Sequence, residues 1–306
     1  MHAILMSEPP VLQWHQPVMG AEVLQALTPR PGAIMVDGTL GTGGHSLMLL
    51  PRLLPTGRLV AIERDQDALE PARKRLAEFE PQVAFIHGNY RHLPAILQEL
   101  QIPRIDGLLL DLGMSSVQVD LAERGFSFSK EGPLDMRMDR EQEETAEMLV
   151  NERSADELAA LLETLGEERF ARRIAGALVR ARKARRFTTT TQLARAVADA
   201  VPPGARHGRL HPATRTFQAL RMAVNDELGA LDTLLSHLDE ALSPGGRVVI
   251  LTFHSLEDRL VKRAFLRGAR EQRWTVLTKK PLRPSRAEVA RNPRARSAKL
   301  RAMEQR

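Results

Sequence analysis

No cysteine occurs in this chain of 306 residues. That excludes disulfides, thiolate metal sites, iron–sulfur clusters and a cysteine nucleophile. Tyrosine occurs once, at position 90, and aromatic residues make up only 4%. No segment has the length and apolarity of a membrane span. The first 19 residues also lack a basic flank followed by a long apolar core, so neither signal peptide nor anchor is read and the expected compartment is the cytoplasm. With 27% charged and 43% hydrophobic residues, the remaining composition is that of a globular protein large enough for more than one domain.

Positive charge is in excess, 44 Lys and Arg against 38 Asp and Glu. It is unevenly spread. Residues 279–306 hold ten basic residues against two Glu, and Arg180, Arg182, Lys183, Arg185 and Arg186 form a second cluster. Each could be a solvated face or a frayed tail, but two clusters beside a nucleotide-type fold favour a nucleic-acid partner.

That nucleotide-type reading starts at residues 34–45. The apolar run Ile34 to Val36 ends in Asp37, passes through four glycines in seven residues, and opens into the helix-like stretch Ser46 to Leu50. Strand, tight loop and helix make a ligand cradle, because glycines let backbone approach closely and a helix start presents free N–H groups. About twenty residues on, the run Leu59 to Ile62 ends in Glu63, where nucleotide-binding α/β folds place the carboxylate that accepts from ribose hydroxyls. The third glycine of the GxGxxG fingerprint is missing, and a plain strand-to-helix turn shares much of the pattern. Asp37 bears on the ligand. An acidic loop suits the ammonium of S-adenosylmethionine and repels the pyrophosphate of a dinucleotide, so a methyltransferase is favoured over a dehydrogenase.

Residues 1–16 read as an arm, and Val18 to Leu27 as a lead-in helix. A surface helix over Asp67 to Phe79 and a third strand over Val83 to Ile86 lead to Tyr90, which could stack on an adenine or simply cover the sheet end. After a helix over His92 to Leu100, the fourth strand, Ile105 to Leu110, ends in Asp111 and a polar loop through Ser115, Ser116 and Gln118. Ligands of open α/β sheets sit beyond the carboxyl ends of the strands, so Asp37, Glu63, Tyr90 and Asp111 should converge on one rim. Asp111 could otherwise be a helix cap or turn former.

A fifth strand is expected over Arg247 to Thr252, after a turn at Ser243 to Gly246. The intervening chain is about a hundred residues longer than a crossover between parallel strands needs. Ala155 to Leu165, Glu167 to Arg182 and Thr191 to Val201 carry aliphatic spacings of three and four, so the excess reads as helical. The expected architecture is a doubly wound, Rossmann-like α/β core in two parts, residues 1–117 and 212–306. An all-helical insertion over 118–211 would recognise substrate. Ala213 to Leu242 reads as one crossover helix, with a stripe of Phe217, Leu220, Val224, Leu228, Leu231 and Leu235. A basic region closes the chain.

Six motifs together closely resemble the bacterial RsmH (MraW) family: Asp37 to Ser46 (DGTLGTGGHS), Leu109 to Ser116 (LLDLGMSS), Arg124 to Phe128 (RGFSF), Gly132 to Met138 (GPLDMRM), His211 to Gln218 (HPATRTFQ) and Phe253 to Arg259 (FHSLEDR). The likeness covers nearly the whole chain. It implies a class I methyltransferase fold and methylation of N4 of a cytosine in the decoding region of 16S ribosomal RNA. The implied partner is that RNA within the small ribosomal subunit, with a homodimer among the open oligomeric states. It also implies that Gly43, Gly44, His45, Glu63, Tyr90, Asp111 and Gln118 contact S-adenosylmethionine, and no metal. Three positions depart from the usual pattern: Glu63 where Asp is commoner, Tyr90 where Phe is common, and Val117 where Pro often precedes Gln118. The first two keep their chemistry, whereas Val117 leaves the Gln118 loop less rigid.

Phe126 and Phe128 could sandwich an unstacked base, although one of the two is expected to be core. His254, just after the fifth strand, is a candidate proton acceptor, yet Ser255 and Asp258 also fit a capping box. Asp111 is the candidate for holding the target amine. Two rival functions are a DNA amino-methyltransferase and a non-catalytic RNA-binding protein. The first lacks support, since Asp111-Leu-Gly-Met is not the Pro-Pro-aromatic sequence of such enzymes. The second leaves acids around a glycine loop without a purpose.

Overall fold

The computed structural model describes residues 16–206 and 211–306; the arm expected over residues 1–16 lies outside the described residues except for Gln16. The chain runs α1 (Gly20–Leu27), β1 (Ile34–Asp37), α2 (Gly44–Leu53), β2 (Arg58–Glu63), α3 (Gln66–Arg75), β3 (Val83–His87), α4 (Leu93–Glu99) and β4 (Ile105–Asp111). Strands β1, β2 and β4 are almost wholly buried. They read as apolar runs because central parallel strands are covered on both faces. The lead-in helix, the first four strands and the acids at their ends fall where the sequence puts them. The expected surface helix is shorter, α3 giving way to a 3₁₀ segment at Ala77–Gln82.

Helices α5 (Ser116–Asp120), α6 (Ala146–Glu152), α7 (Ala155–Gly166), α8 (Ala171–Arg182), α9 (Thr190–Ala200) and α10 (Pro203–Arg206) follow β4. The predicted single crossover helix is three: α11 (Thr214–Val224), α12 (Glu227–Ser236) and α13 (Leu238–Ala241). The break falls at Asn225-Asp226, where Asp226 has φ 44°. Asn225 leaves the helix to serve other backbone, accepting from Met138 N at 2.8 Å and donating to Met136 O at 2.7 Å.

The break divides the predicted stripe between two cores. Phe217, Leu220 and Val224 join Leu149, Leu162, Ile174, Leu178, Leu193 and Val197 in the cluster of the inserted helices, whereas Leu231 and Leu235 pack on the sheet with Val248 and Ile250. The inserted cluster therefore extends from Phe126 to Val224, past the expected end at 211. Phe126 is in it, buried; Phe128 packs at its edge, stacked on His211 at 4.7 Å and edge-on to Phe217 at 4.9 Å.

The remaining elements are β5 (Leu242–Thr252), α14 (Ser255–Arg270), β6 (Trp274–Val276), α15 (Arg286–Arg291) and β7 (Lys299–Gln305). The residues expected as a turn, 243–246, lie inside β5, where the register with β4 jumps from Ile105↔Leu242 to Gly107↔Arg247. Sheet order is β3-β2-β1-β4-β5-β7-β6, parallel through β5 and antiparallel for β7 and β6. Two strands beyond the five expected thus complete the sheet, β7 from the basic C-terminal region and β6 from just before it. Arg301 in β7 is 5% exposed, its charge met by Asp258 at 2.7 Å. Strand order reverses between β1 and β4, and the crevice beyond their carboxyl ends is the fold's ligand position. Among the described residues no helix is long and apolar enough to cross a membrane.

Candidate active site

The glycine loop is held by the acids at the strand tips. Asp37 is buried, accepting from Thr39 N at 3.2 Å and Ser46 Oγ at 2.7 Å. Burial pushes its carboxyl up, with Ser46 and His45 working against that. Gly41, at φ 52°, donates its N–H to Glu63 Oε2 at 2.6 Å, and Asp65 N donates to Oε1 at 2.9 Å. Burial foremost, with the nearby Asp65 and Asp37 charges, pushes Glu63 up to about 7. Gly43 caps α2 at φ 78° and packs on Leu76, which a Cβ there would meet at 3.2 Å.

His45 follows in the first turn of α2. Its Nε2 lies 2.9 Å from Val18 O, so Nε2 carries the proton and Nδ1 presents a lone pair. Nδ1 is 3.5 Å from Asp111 Oδ2, and burial lowers the His45 pKa. At the tip of β4, Asp111 N donates to Thr39 Oγ1 at 2.6 Å, while its side-chain Oδ1 is buried without a hydrogen-bond partner. Burial, then the charge of Glu257, pushes Asp111 up to about 7.

A second polar cluster adjoins Asp111. Arg221 donates Nε and Nη2 to the two oxygens of Glu227, each at 2.8 Å. Glu257 Oε2 accepts from Phe253 N at 2.9 Å, and Oε1 lies 3.0 Å from His254 Nε2. Burial pushes Glu257 up, but His254, the Phe253 N–H and Arg221 together outweigh it, and its pKa falls. Tyr90 is pushed up by burial and by the charges of Glu227 and Glu257. Glu227, His254 and Glu257 hold three donor atoms within 4.8 Å of one another. The Arg221 guanidinium already supplies the positive charge that a cation would bring there.

These walls enclose a cavity of about 450 Å³. Gly44, His45, Glu63, Tyr90, Asp111 and Gln118 all line it. Gly43 stands behind the loop on Leu76. His254 is the N-cap of α14: Nδ1 accepts from Glu257 N at 3.4 Å, and Nε2, buried without a hydrogen-bond partner, lies 3.0 Å from Glu257 Oε1, so the candidate proton acceptor stands beside the cavity wall at Glu257 and is not itself a lining residue. The capping box is therefore His254 with Glu257, one residue earlier than Ser255 with Asp258. Gln118 closes a capping box with Ser115 and donates Nε2 to Asp65 Oδ2 at 2.9 Å, which steadies the loop that Val117 was expected to loosen. Asp65 is also paired with Arg124 at 2.8 Å. Arg124, 2% exposed, donates on to the carbonyls of Arg137 and Met138, tying the start of the insertion to the β2 tip.

Sequence reasoning missed Arg221, Glu227, Glu257 and Met138 as lining residues. Arg221 and Glu227 stand six apart across a helix break, a spacing that carries no periodic signal. Glu257 was detectable as the third residue after His254.

A glycine loop after β1, acids at the tips of β2 and β4, and this sheet order define a class I S-adenosylmethionine-dependent methyltransferase. The residues present fit such a ligand: Glu63 stands at the tip of β2, the position at which nucleotide-binding α/β folds hold a ribose, and the orphaned Asp111 oxygen calls for a donor such as an amine or ammonium. The sequence matches the MraW methylase family model over residues 12–306. It is similar to "Ribosomal RNA small subunit methyltransferase H" of Geobacter sulfurreducens, 49% identical over 305 residues, covering 95% of this chain and 98% of that protein. The protein of the same name in Halothermothrix orenii is 44% identical over 305 residues, with coverages of 95% and 98%. A solved putative rRNA-methylase from Clostridium thermocellum aligns with 96% of this chain and 100% of its own at 11% identity and TM-score 0.47. The chain belongs to the MraW methylase family.

Proposed function

We propose that this methyltransferase acts on 16S ribosomal RNA of the small subunit and methylates the exocyclic N4 of a cytosine. The RNA substrate is supported by the names of the relatives and by the surface of the insertion. Arg180, Lys183 and Arg185 are exposed at the end of α8 and beyond it, where they can meet phosphates, and Arg186 is exposed beside Glu152, 3.5 Å away. Arg182 of that cluster is structural, bonded to the Val150 and Arg153 carbonyls. The insertion is accordingly the RNA-recognition unit. S-adenosylmethionine is held by Gly44, His45, Glu63, Tyr90 and Gln118, with Gly43 setting the loop.

The position on the base rests on one observation, the Asp111 carboxylate at the tip of β4, which lines the cavity with its side chain 26% exposed and leaves one oxygen without a protein partner. Carbon 5 of cytosine is a poor nucleophile that proteins activate by adding a cysteine thiolate to the ring, and radical routes need a cysteine-bound cluster; this chain has no cysteine. An exocyclic nitrogen needs only to be held in line with its lone pair freed. The cofactor supplies an electrophilic methyl group on a sulfonium. Asp111 accepts an N4–H hydrogen bond, which orients the amine and weakens its conjugation with the ring. Transfer of that methyl to N4 would cleave its S–C bond and leave a neutral thioether, and Asp111 would take the surplus proton of the methylated nitrogen and pass it to solvent. Nucleoside mass spectrometry of 16S RNA, from cells lacking the protein and after treatment with purified enzyme, tests the reading. N4-methylcytidine should be absent from the first and restored in the second. Appearance of 5-methylcytidine instead overturns it.

A further inference from the structure

Among the charged side chains of the cavity that this chemistry does not use is Arg221. Arg221 is only 8% exposed, yet it lines the same cavity as Asp111. Both carboxylate oxygens of Glu227 engage it, a planar two-point clamp that fixes the plane of the guanidinium. A guanidinium has five N–H donors. Nη1 has no protein acceptor among the described residues and is not one of the fully buried orphaned atoms, so it keeps solvent access on a side chain that lines the cavity. Glu257 acts electrostatically on both Arg221 and Asp111. A fixed donor fork and a carboxylate acceptor thus stand around one side chain in one small cavity.

That pairing matches an exocyclic amine beside a ring acceptor, and cytosine alone among such bases adds a carbonyl acceptor on the far side of that ring nitrogen. Cytosine presents an amine donor at N4 beside acceptors at N3 and O2. Uracil presents an acceptor at O4 and a donor at N3, which would oppose Asp111 and the guanidinium in turn. We infer that Arg221 reads the target base, donating from its free guanidinium N–H groups to the N3 and O2 edge of cytosine while Asp111 holds N4. Glu227 is the positioning residue that keeps the fork in plane. This inference rests on the N4-cytosine reading.

The test uses small subunits whose 16S RNA carries cytidine, 3-deazacytidine or 2-thiocytidine at the methylated position. Removing N3, or weakening the acceptor at position 2, should lower wild-type kcat/KM by roughly tenfold or more at one of them, the worth of one hydrogen bond to a charged group. In Arg221→Lys, and in the double variant Arg221→Met with Glu227→Gln, the same analogue should cost almost nothing further, because its partner is gone. A merely structural arginine would lower activity on all three RNAs alike, leaving the analogue penalty unchanged, and that result overturns the inference. So does a wild-type enzyme indifferent to both analogues, which needs no variant to fold. If the wild type makes N4-methylcytidine without this coupling, only the role of Arg221 fails. If it makes another nucleoside, the parent reading fails.

Discussion

Asp111 Oδ2 stands 3.5 Å from His45 Nδ1, so the tip of β4 and the first turn of α2 share one buried polar contact. Burial favours the neutral form of each partner. The side chain proposed to hold the target amine is thereby coupled to the loop proposed to hold the cofactor, and its charge appears only as pH rises through about 7.

Glu63 lends the cofactor site an opposite pH dependence for binding and for stability. Glu63→Ala should weaken S-adenosylmethionine binding by about 1.5–3 kcal/mol, the usual loss for hydrogen bonds to a charged group. Because the carboxyl is raised to about 7, wild-type affinity should decline as pH falls from 8 to 6. Stability of the ligand-free protein should move the other way. The folded state binds more protons than the unfolded chain between the ordinary carboxylate range and about 7, so this contribution is lost as pH rises. Calorimetric titration and thermal melts of wild type and Glu63→Gln check both signs, and pH-independent affinity in the wild type rules out the ribose role.

Arg124 joins the insertion to the β2 tip through Asp65 and the Arg137 and Met138 carbonyls. Replacing it with Met leaves Asp65 buried and short of its counter-charge, which should cost about 3–5 kcal/mol. Urea unfolding measures the loss. A change below about 0.5 kcal/mol means the pair is not needed to hold the two parts together.

The central strands were legible because burial on both faces leaves little room for polar residues, so Ile34 to Val36 of β1, Leu59 to Ile62 of β2 and Leu108 to Leu110 of β4 appear as apolar runs ending in acids. Strand β7 was not. Its Lys299, Arg301 and Glu304 look solvated in sequence, but Asp258 and Arg247 neutralise them across the fold. The break at Asn225-Asp226 was also hidden, with no Gly or Pro to mark it, since its cause is Asn225 bonding to a segment over 80 residues away. Six of the seven implied cofactor contacts lie on the cavity wall, while Arg221 and Glu227 come together only through that break.

The cluster from Phe126 to Val224 should behave as one cooperative unit that includes α11. Native-state hydrogen exchange should show α7, α8, α9 and α11 opening with a common free energy distinct from that of β1, β4 and β5. Exchange of α11 with the sheet would place the boundary back near residue 211.

Single-turnover methyl transfer against pH, in wild type and Asp111→Asn at saturating cofactor, bears most directly on the proposed chemistry. A carboxylate with a pKa near 7 must be ionised to take the amine's surplus proton, so the wild-type rate should climb about tenfold per unit below 7 and level off above it. Asp111→Asn should be slower by about 10²-fold or more and lose this profile, with cofactor affinity largely kept. An Asn variant that turns over at the wild-type rate, or one that loses cofactor binding instead, contradicts the assignment of Asp111 to the target amine.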